Sequence, residues 1–80
     1  MDAVQPQEIG HIVRYHRERA GLSRVELAAI AGVGKTVIYD VENGKPTVRL
    51  QTLLRILEAL NISLRLESPL MEQYDEQRAT

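Results

Sequence analysis

The chain has 80 residues, enough for one compact domain and too few for the multi-stranded parallel sheet of a nucleotide-hydrolysing enzyme. It contains no Cys, Phe or Trp, which excludes disulfides and thiolate metal sites, fits a cytoplasmic setting and leaves an aliphatic core. The net charge of −1 hides a division: residues 9–66 carry nine Lys or Arg against five Asp or Glu, while both flanks are acidic, so a polyanionic partner is compatible with the central body.

The opening MDAVQPQEIG lacks a basic stretch followed by an apolar one, and the chain holds no apolar run of about 18 residues; neither a signal peptide nor a membrane span is expected. Glycines then punctuate the sequence: Gly21, Gly32 and Gly44 each follow a helix-compatible segment, where a left-handed cap belongs. The first segment, PQEIGHIVRYHRERA, starts with Pro6 and Glu8, both suited to a first helical turn, and its spacing predicts an apolar face of Ile9, Val13, His16 and Ala20. The second begins SRVE, with Ser23 as N-cap and Glu26 completing a capping box, and continues through Val25, Leu27, Ala28 and Ala31. In the third, KTVIYDVEN, Val37 or Ile38 is buried together with Val41. The fourth, LQTLLRILEAL, carries the stripe Leu50, Leu53, Leu54, Leu57 and Leu60. After Asn61 the period becomes two, with Ile62, Leu64 and Leu66 opposite Ser63, Arg65 and Glu67, which predicts a strand. Beyond Pro69 a loose acidic tail is expected.

Residues 29–36, AIAGVGKT, approximate a phosphate-cradling loop. Such a loop must leave a strand and enter a helix. Here a capped, Leu/Ala-rich helix precedes it, Gly32-Val33-Gly34 form a short turn, and the Asp of VIYD, Asp40, lies inside the next helix. Nucleotide binding is not expected. What remains is helix, tight glycine turn with one apolar residue, and helix: the helix-turn-helix arrangement, whose second helix enters the major groove.

GLSRVELAAIAGVGKTVIYDVENGKP followed by LQTLLRILEAL resembles the Cro/repressor-type (Xre) helix-turn-helix family over about residues 8–61, through Leu22, Leu27-Ala28, Gly32-Val33, Ile38 and Glu42-Asn43-Gly44. GKPTVRLQTLLRILEALNISL and the segment ISLRLES are similar, more narrowly, to HipB-type antitoxins. The resemblance implies a mainly all-α, Cro/repressor-like bundle of four to five helices, with one C-terminal β-strand pairing across a homodimer. It divides the chain into an N-terminal arm (1–7), a DNA-binding domain (8–61), a dimerisation strand (62–67) and a flexible acidic tail (68–80).

The family places its base readers where Lys35, Thr36, Tyr39 and Asp40 stand. Lys35 can donate to guanine O6/N7, Thr36 can bond a base edge or touch a thymine methyl, and Tyr39 can meet a base or phosphate. Asp40 departs from the amide or basic residue common nearby; it either accepts from cytosine N4 or points away from phosphate. Ser23 and Arg24 start the second helix, whose free amides suit a phosphate, although Ser23 as a cap alone is sufficient. Lys45, Thr47 and Arg49 resemble a second phosphate clamp, against the plainer reading of a polar loop. Arg17 and Glu42 match a family salt bridge tying the first helix to the third. Ile62, Leu64 and Leu66 are the dimerisation residues of the strand.

His16, on the apolar face, reads as a hydrogen-bonded core histidine, and His11 lies five residues away rather than at metal-pairing spacing. With no nucleophile–base pair, no metal site and no cofactor motif, enzymatic activity is not expected. Two readings survive: a dimeric DNA-binding autorepressor that also neutralises a HipA-type kinase toxin, or a protein-interaction module with lapsed DNA binding. The basic residues Arg24, Lys35, Lys45 and Arg49 favour the first. A stand-alone Xre-type regulator without a toxin is a variant of it. The partners so implied are a palindromic double-stranded operator, a second copy of the chain and the toxin, with no membrane and no nucleotide.

Overall fold

The structure, a computed structural model, describes residues 4–79; residues 1–3 of the expected N-terminal arm and the last residue of the expected tail lie outside the described residues. Pro6 opens α1 (Pro6–Arg19), which ends at Ala20 with Gly21 in the left-handed region. The helix faces the core with Gly10, Val13 and Arg17, and Ile9 packs beside them. That face is turned by about one residue from the expected one: Ala20 is exposed, and His16 is only half-buried. The His16 Nδ1–H donates to the Ile12 carbonyl at 2.7 Å, a bond within its own helix, so this histidine is not a core residue.

The capping box forms as expected. Ser23 Oγ accepts from the Glu26 amide at 3.0 Å, and the Ser23 amide donates to Glu26 Oε1 at 2.8 Å, starting α2 (Arg24–Ala31). Gly32, at φ 71°, stops that helix with its amide on the Ala28 carbonyl. Two residues later Gly34 serves as N-cap of α3 (Lys35–Glu42). The α4 helix (Leu50–Ala59) then closes the bundle, whose main packings are α1 on α3, α2 on α3 and α2 on α4.

Val13, Leu27, Ile38 and Ile56 are fully buried, with Ala28, Val41 and Leu57 around them. Each large aliphatic side chain so placed contributes roughly 1.5–3 kcal/mol of transfer free energy. On α4 the inward face centres on Leu53, Ile56, Leu57 and Leu60, which leaves Leu50 and Leu54 exposed despite their place in the leucine stripe. The α1–α3 contact is close at Gly10, where an added Cβ would press on the carbonyl oxygen of Val41.

Two expectations change at the C-terminal end. Residues 62–68 carry neither helix nor strand, because a ladder needs a partner and none of the described residues is in a strand. The chain leaves α4 through Asn61, at φ 57°, and the Ile62 amide donates to the Leu57 carbonyl at 2.8 Å. The tail expected to lack regular structure contains α5 (Met71–Ala79). MEQYDEQRA consists largely of good helix formers, with Glu72 in the first turn and Arg78 in the last, each at the favourable end of the helix dipole.

Candidate nucleic-acid interface

The turn between α2 and α3 is held from inside. The Val33 amide donates to the Ala28 carbonyl at 3.0 Å, and the Val33 side chain packs against the core. That fixes the direction in which α3 leaves. Ile38, Val41 and Glu42 then point inward, so Lys35, Thr36 and Tyr39 occupy the outer face. The Gly32–Thr36 segment links two helices, without the strand-to-helix geometry that a phosphate-cradling loop needs.

Glu42 is the electrostatic hub beneath this face. Its carboxylate accepts from Arg17 at 2.6 Å (Nε to Oε2) and 3.2 Å (Nη2 to Oε1), and from Arg24 Nε at 3.1 Å. Arg17 Nη1 also donates to the Leu22 carbonyl at 2.9 Å, so the guanidinium joins three parts of the chain. Burial alone would push the Glu42 carboxyl up; the hydrogen bonds and charges of the two arginines outweigh it and hold the group below the usual carboxylate range. The hydrogen bond to Glu42 raises the Arg17 pKa in turn, against the effect of its own burial. Glu26, bonded to the Ser23 backbone and hydroxyl, is also lowered.

Arg24, an expected phosphate contact at the start of α2, is also tied into the fold. Its guanidinium carbon lies 5.5 Å from the centroid of the Tyr39 ring while its Nε holds Glu42, so one side chain spans the start of α2 and the middle of α3. The connection crosses 18 residues with no local pattern to announce it. Ser23 acts as a cap. Asp40 is engaged by Lys45 Nζ at 3.5 Å, and the Lys45 amide donates to the Asp40 carbonyl, so these two expected contact residues hold one another.

Two shallow grooves flank the outer face of α3. One is lined by Arg24, Val25, Lys35, Thr36 and Tyr39. The other brings Asp40, Lys45, Thr47 and Arg49 together with Val37 and Thr52. Val25 and Thr52 carry no charge or motif signal and were not anticipated by sequence. Val25 is 59% exposed and faces the first groove. On a different side of the bundle, Leu54, Leu57, Ile62 and Leu64 line a depression together with Glu58, Asn61 and Ser63. Leu66 is 74% exposed. Among the described residues no helix is long and apolar enough to cross a membrane, and no acidic or histidine cluster could hold a metal ion.

Comparison with known proteins agrees with this geometry. The helix-turn-helix family model HTH_3 matches residues 13–66. An uncharacterised HTH-type transcriptional regulator, y4mF, of Sinorhizobium fredii is 41% identical over 64 residues, covering 80% of this chain and 84% of that protein. A chain from a HipA–HipB–O2–O3 complex superposes with a TM-score of 0.75 at 25% identity, over 86% of this chain and 97% of that one. The restriction-modification controller protein C.AhdI from Aeromonas hydrophila gives 0.66 at 31% identity, over 72% and 88%.

Proposed function

Since the chain belongs to the helix-turn-helix family HTH_3, a family of DNA-binding regulators rather than enzymes, we propose that it is a sequence-specific, dimeric transcriptional repressor. The observation that carries this reading is the outer face of α3: Lys35, Thr36 and Tyr39 are exposed together on a helix fixed from below by the Arg17–Glu42–Arg24 network. Base edges are read by Lys35, Thr36 and Tyr39. Asp40 takes part by setting Lys45 at the groove wall, and phosphates are held by Lys45, Thr47 and Arg49 on one side, with Ser23 and Arg24 at the start of α2 on the other. A gel shift with the DNA upstream of its own gene tests this. A shifted band competed by that duplex and not by scrambled DNA is the expected result; indifference to sequence returns the chain to a protein-interaction role.

The narrower reading is that the repressor is also the antitoxin of a HipA-type kinase and represses its own operon from the cytoplasm. The superposition on a chain of the HipA–HipB–O2–O3 complex over most of both chains supports it. The likeness to the controller protein C.AhdI favours, instead, a stand-alone regulator without a toxin. Co-expression with the product of the adjacent gene decides between them: growth rescue and co-purification support the antitoxin, and their absence supports the stand-alone regulator.

A further inference from the structure

The groove lined by Arg24, Val25, Lys35, Thr36 and Tyr39 has an uncommon chemical balance for a DNA-facing surface. Its lining is mostly apolar in area, shared among Val25, Thr36 and Tyr39 and the two cationic residues Arg24 and Lys35. None of the five lining side chains is an acid or an amide. The two carboxylates of α3 are committed elsewhere, Glu42 to both arginines with its side chain only 1% exposed, and Asp40 to Lys45. Arg24 is itself anchored between Glu42 and the Tyr39 ring, so this edge of the groove is fixed before any ligand arrives.

Base edges in the major groove differ in what they offer such a surface. Adenine N6 and cytosine N4 present donors, which here would find only the Thr36 and Tyr39 hydroxyls as acceptors beside two cations, with no carboxylate or amide to pair with them. Guanine presents two acceptors and suits Lys35, but offers nothing to the apolar walls. Thymine presents an acceptor, O4, beside its C5 methyl group, and so matches both parts of the groove. Resting on the DNA-binding reading above, we propose that the groove between α2 and α3 is a thymine-reading notch. The C5 methyl packs against Val25, Thr36 and Tyr39, and O4 accepts from Lys35. Val25 is then a specificity-determining residue contributed by the helix that precedes the base-reading one.

The test uses the full chain and an operator obtained by selection from random duplexes. Each thymine of one half-site is replaced in turn by deoxyuridine, which removes only the C5 methyl. One position is expected to lose about fourfold in affinity, the value of one buried methyl group, and cytosine at that position to lose more. In Val25→Ala, folded because Val25 is largely exposed, the deoxyuridine penalty at that position shrinks toward none, while penalties at other positions stay as they were. If deoxyuridine is tolerated everywhere, or if Val25→Ala keeps the full penalty, the notch is overturned while DNA binding stands. A chain that prefers no duplex sequence overturns both.

Discussion

Arg17 grips Glu42 through both carboxylate oxygens, at 2.6 and 3.2 Å, and so ties α1 to the last turn of α3. The Glu42 side chain is 1% exposed and that of Arg17 10% exposed, so loss of Glu42 strands the Arg17 charge away from water, and loss of Arg17 leaves the buried Glu42 with Arg24 as its remaining ion-pair partner. Breaking a buried pair in this way costs about 3–5 kcal/mol, a large share of the total stability of a small domain. Arg17→Ala is therefore expected to lower the melting temperature by roughly 10 °C or more. Glu42→Ala, which also releases Arg24, should cost at least as much. Thermal denaturation checks both; an Arg17→Ala protein that melts within a degree or two of the parent would show that the pair contributes little.

The same pair sets the acid limit of stability. Glu42 and Glu26 both titrate below the ordinary carboxylate range in the folded chain. A depressed carboxyl contributes stability that is present above its unfolded pKa, about 4.3, and is lost as pH falls through the folded value. Urea unfolding should accordingly show a plateau above about pH 5 and a decline below about pH 4. In Glu42→Gln the plateau is expected to drop and the decline to become shallower, since one of the two groups no longer titrates. An unchanged acid slope in Glu42→Gln would assign the decline to other carboxylates.

Much of this architecture was legible in the sequence because it is local. The Ser23–Glu26 capping box, the glycine stops at Gly21, Gly32 and Gly44, and the burial of Val41 with one of Val37 and Ile38, which the fold resolves to Ile38, follow from spacings of a few residues. The Arg17–Glu42 pair came from family resemblance, not spacing. The bond from Arg24 to Glu42 has no such signal in the sequence, because the two residues lie 18 positions apart. Helix rotation was the other blind spot. Apolar periodicity fixes that a helix has an apolar face but only loosely where it centres, so the stripe expected on α4 takes in the exposed Leu50 and omits the buried Ile56. The strand expected over 62–67 depends on a second chain for its hydrogen bonds, since none of the described residues of the single chain is in a strand.

Gly10 illustrates a packing demand that overrides helix propensity. In a helix interior Ala is favoured over Gly by about 1 kcal/mol. At this position the added methyl would meet the Val41 carbonyl oxygen, and the Glu42 carbonyl oxygen at 2.8 Å, both backbone atoms that cannot swing aside. Overpacking of this kind costs about 1–3 kcal/mol, so the net effect of Gly10→Ala is expected to be destabilising. Chemical denaturation of the variant gives the sign directly, and a gain in stability would mean that α1 is free to move off α3.

On DNA, the two kinds of contact residue separate by salt dependence. If the dimer neutralises about eight phosphates, log K against log salt falls with a slope near −7. Arg49→Ala removes an exposed cation at the groove beside α3 and should flatten that slope while weakening all sequences alike. Thr36→Ala should leave the slope unchanged and relax preference at one position in each half-site. Binding titrations at several salt concentrations, on the operator and on a scrambled duplex, check both. Equal losses on both duplexes for Thr36→Ala would remove it from the base-reading set.

Leu64 and Leu66 are 54% and 74% exposed in the single chain, although they alternate with polar residues as strand residues do. Leu64 also lines the depression in which Leu54, Leu57 and Ile62 meet Glu58, Asn61 and Ser63, and a symmetric partner would cover those leucines while its own 62–67 segment supplied the missing ladder. Because Leu64 is half-exposed, Leu64→Asp should leave the helical bundle folded and act on association alone. A charge placed in such a seam is expected to give a monomer with much weaker operator binding, since two half-sites no longer arrive on one molecule. Arg65→Ala, on the opposite side of the segment, should change little. Sedimentation and circular dichroism of the two variants decide the matter: a folded Leu64→Asp chain that still sediments as a dimer would move the seam away from residues 62–67.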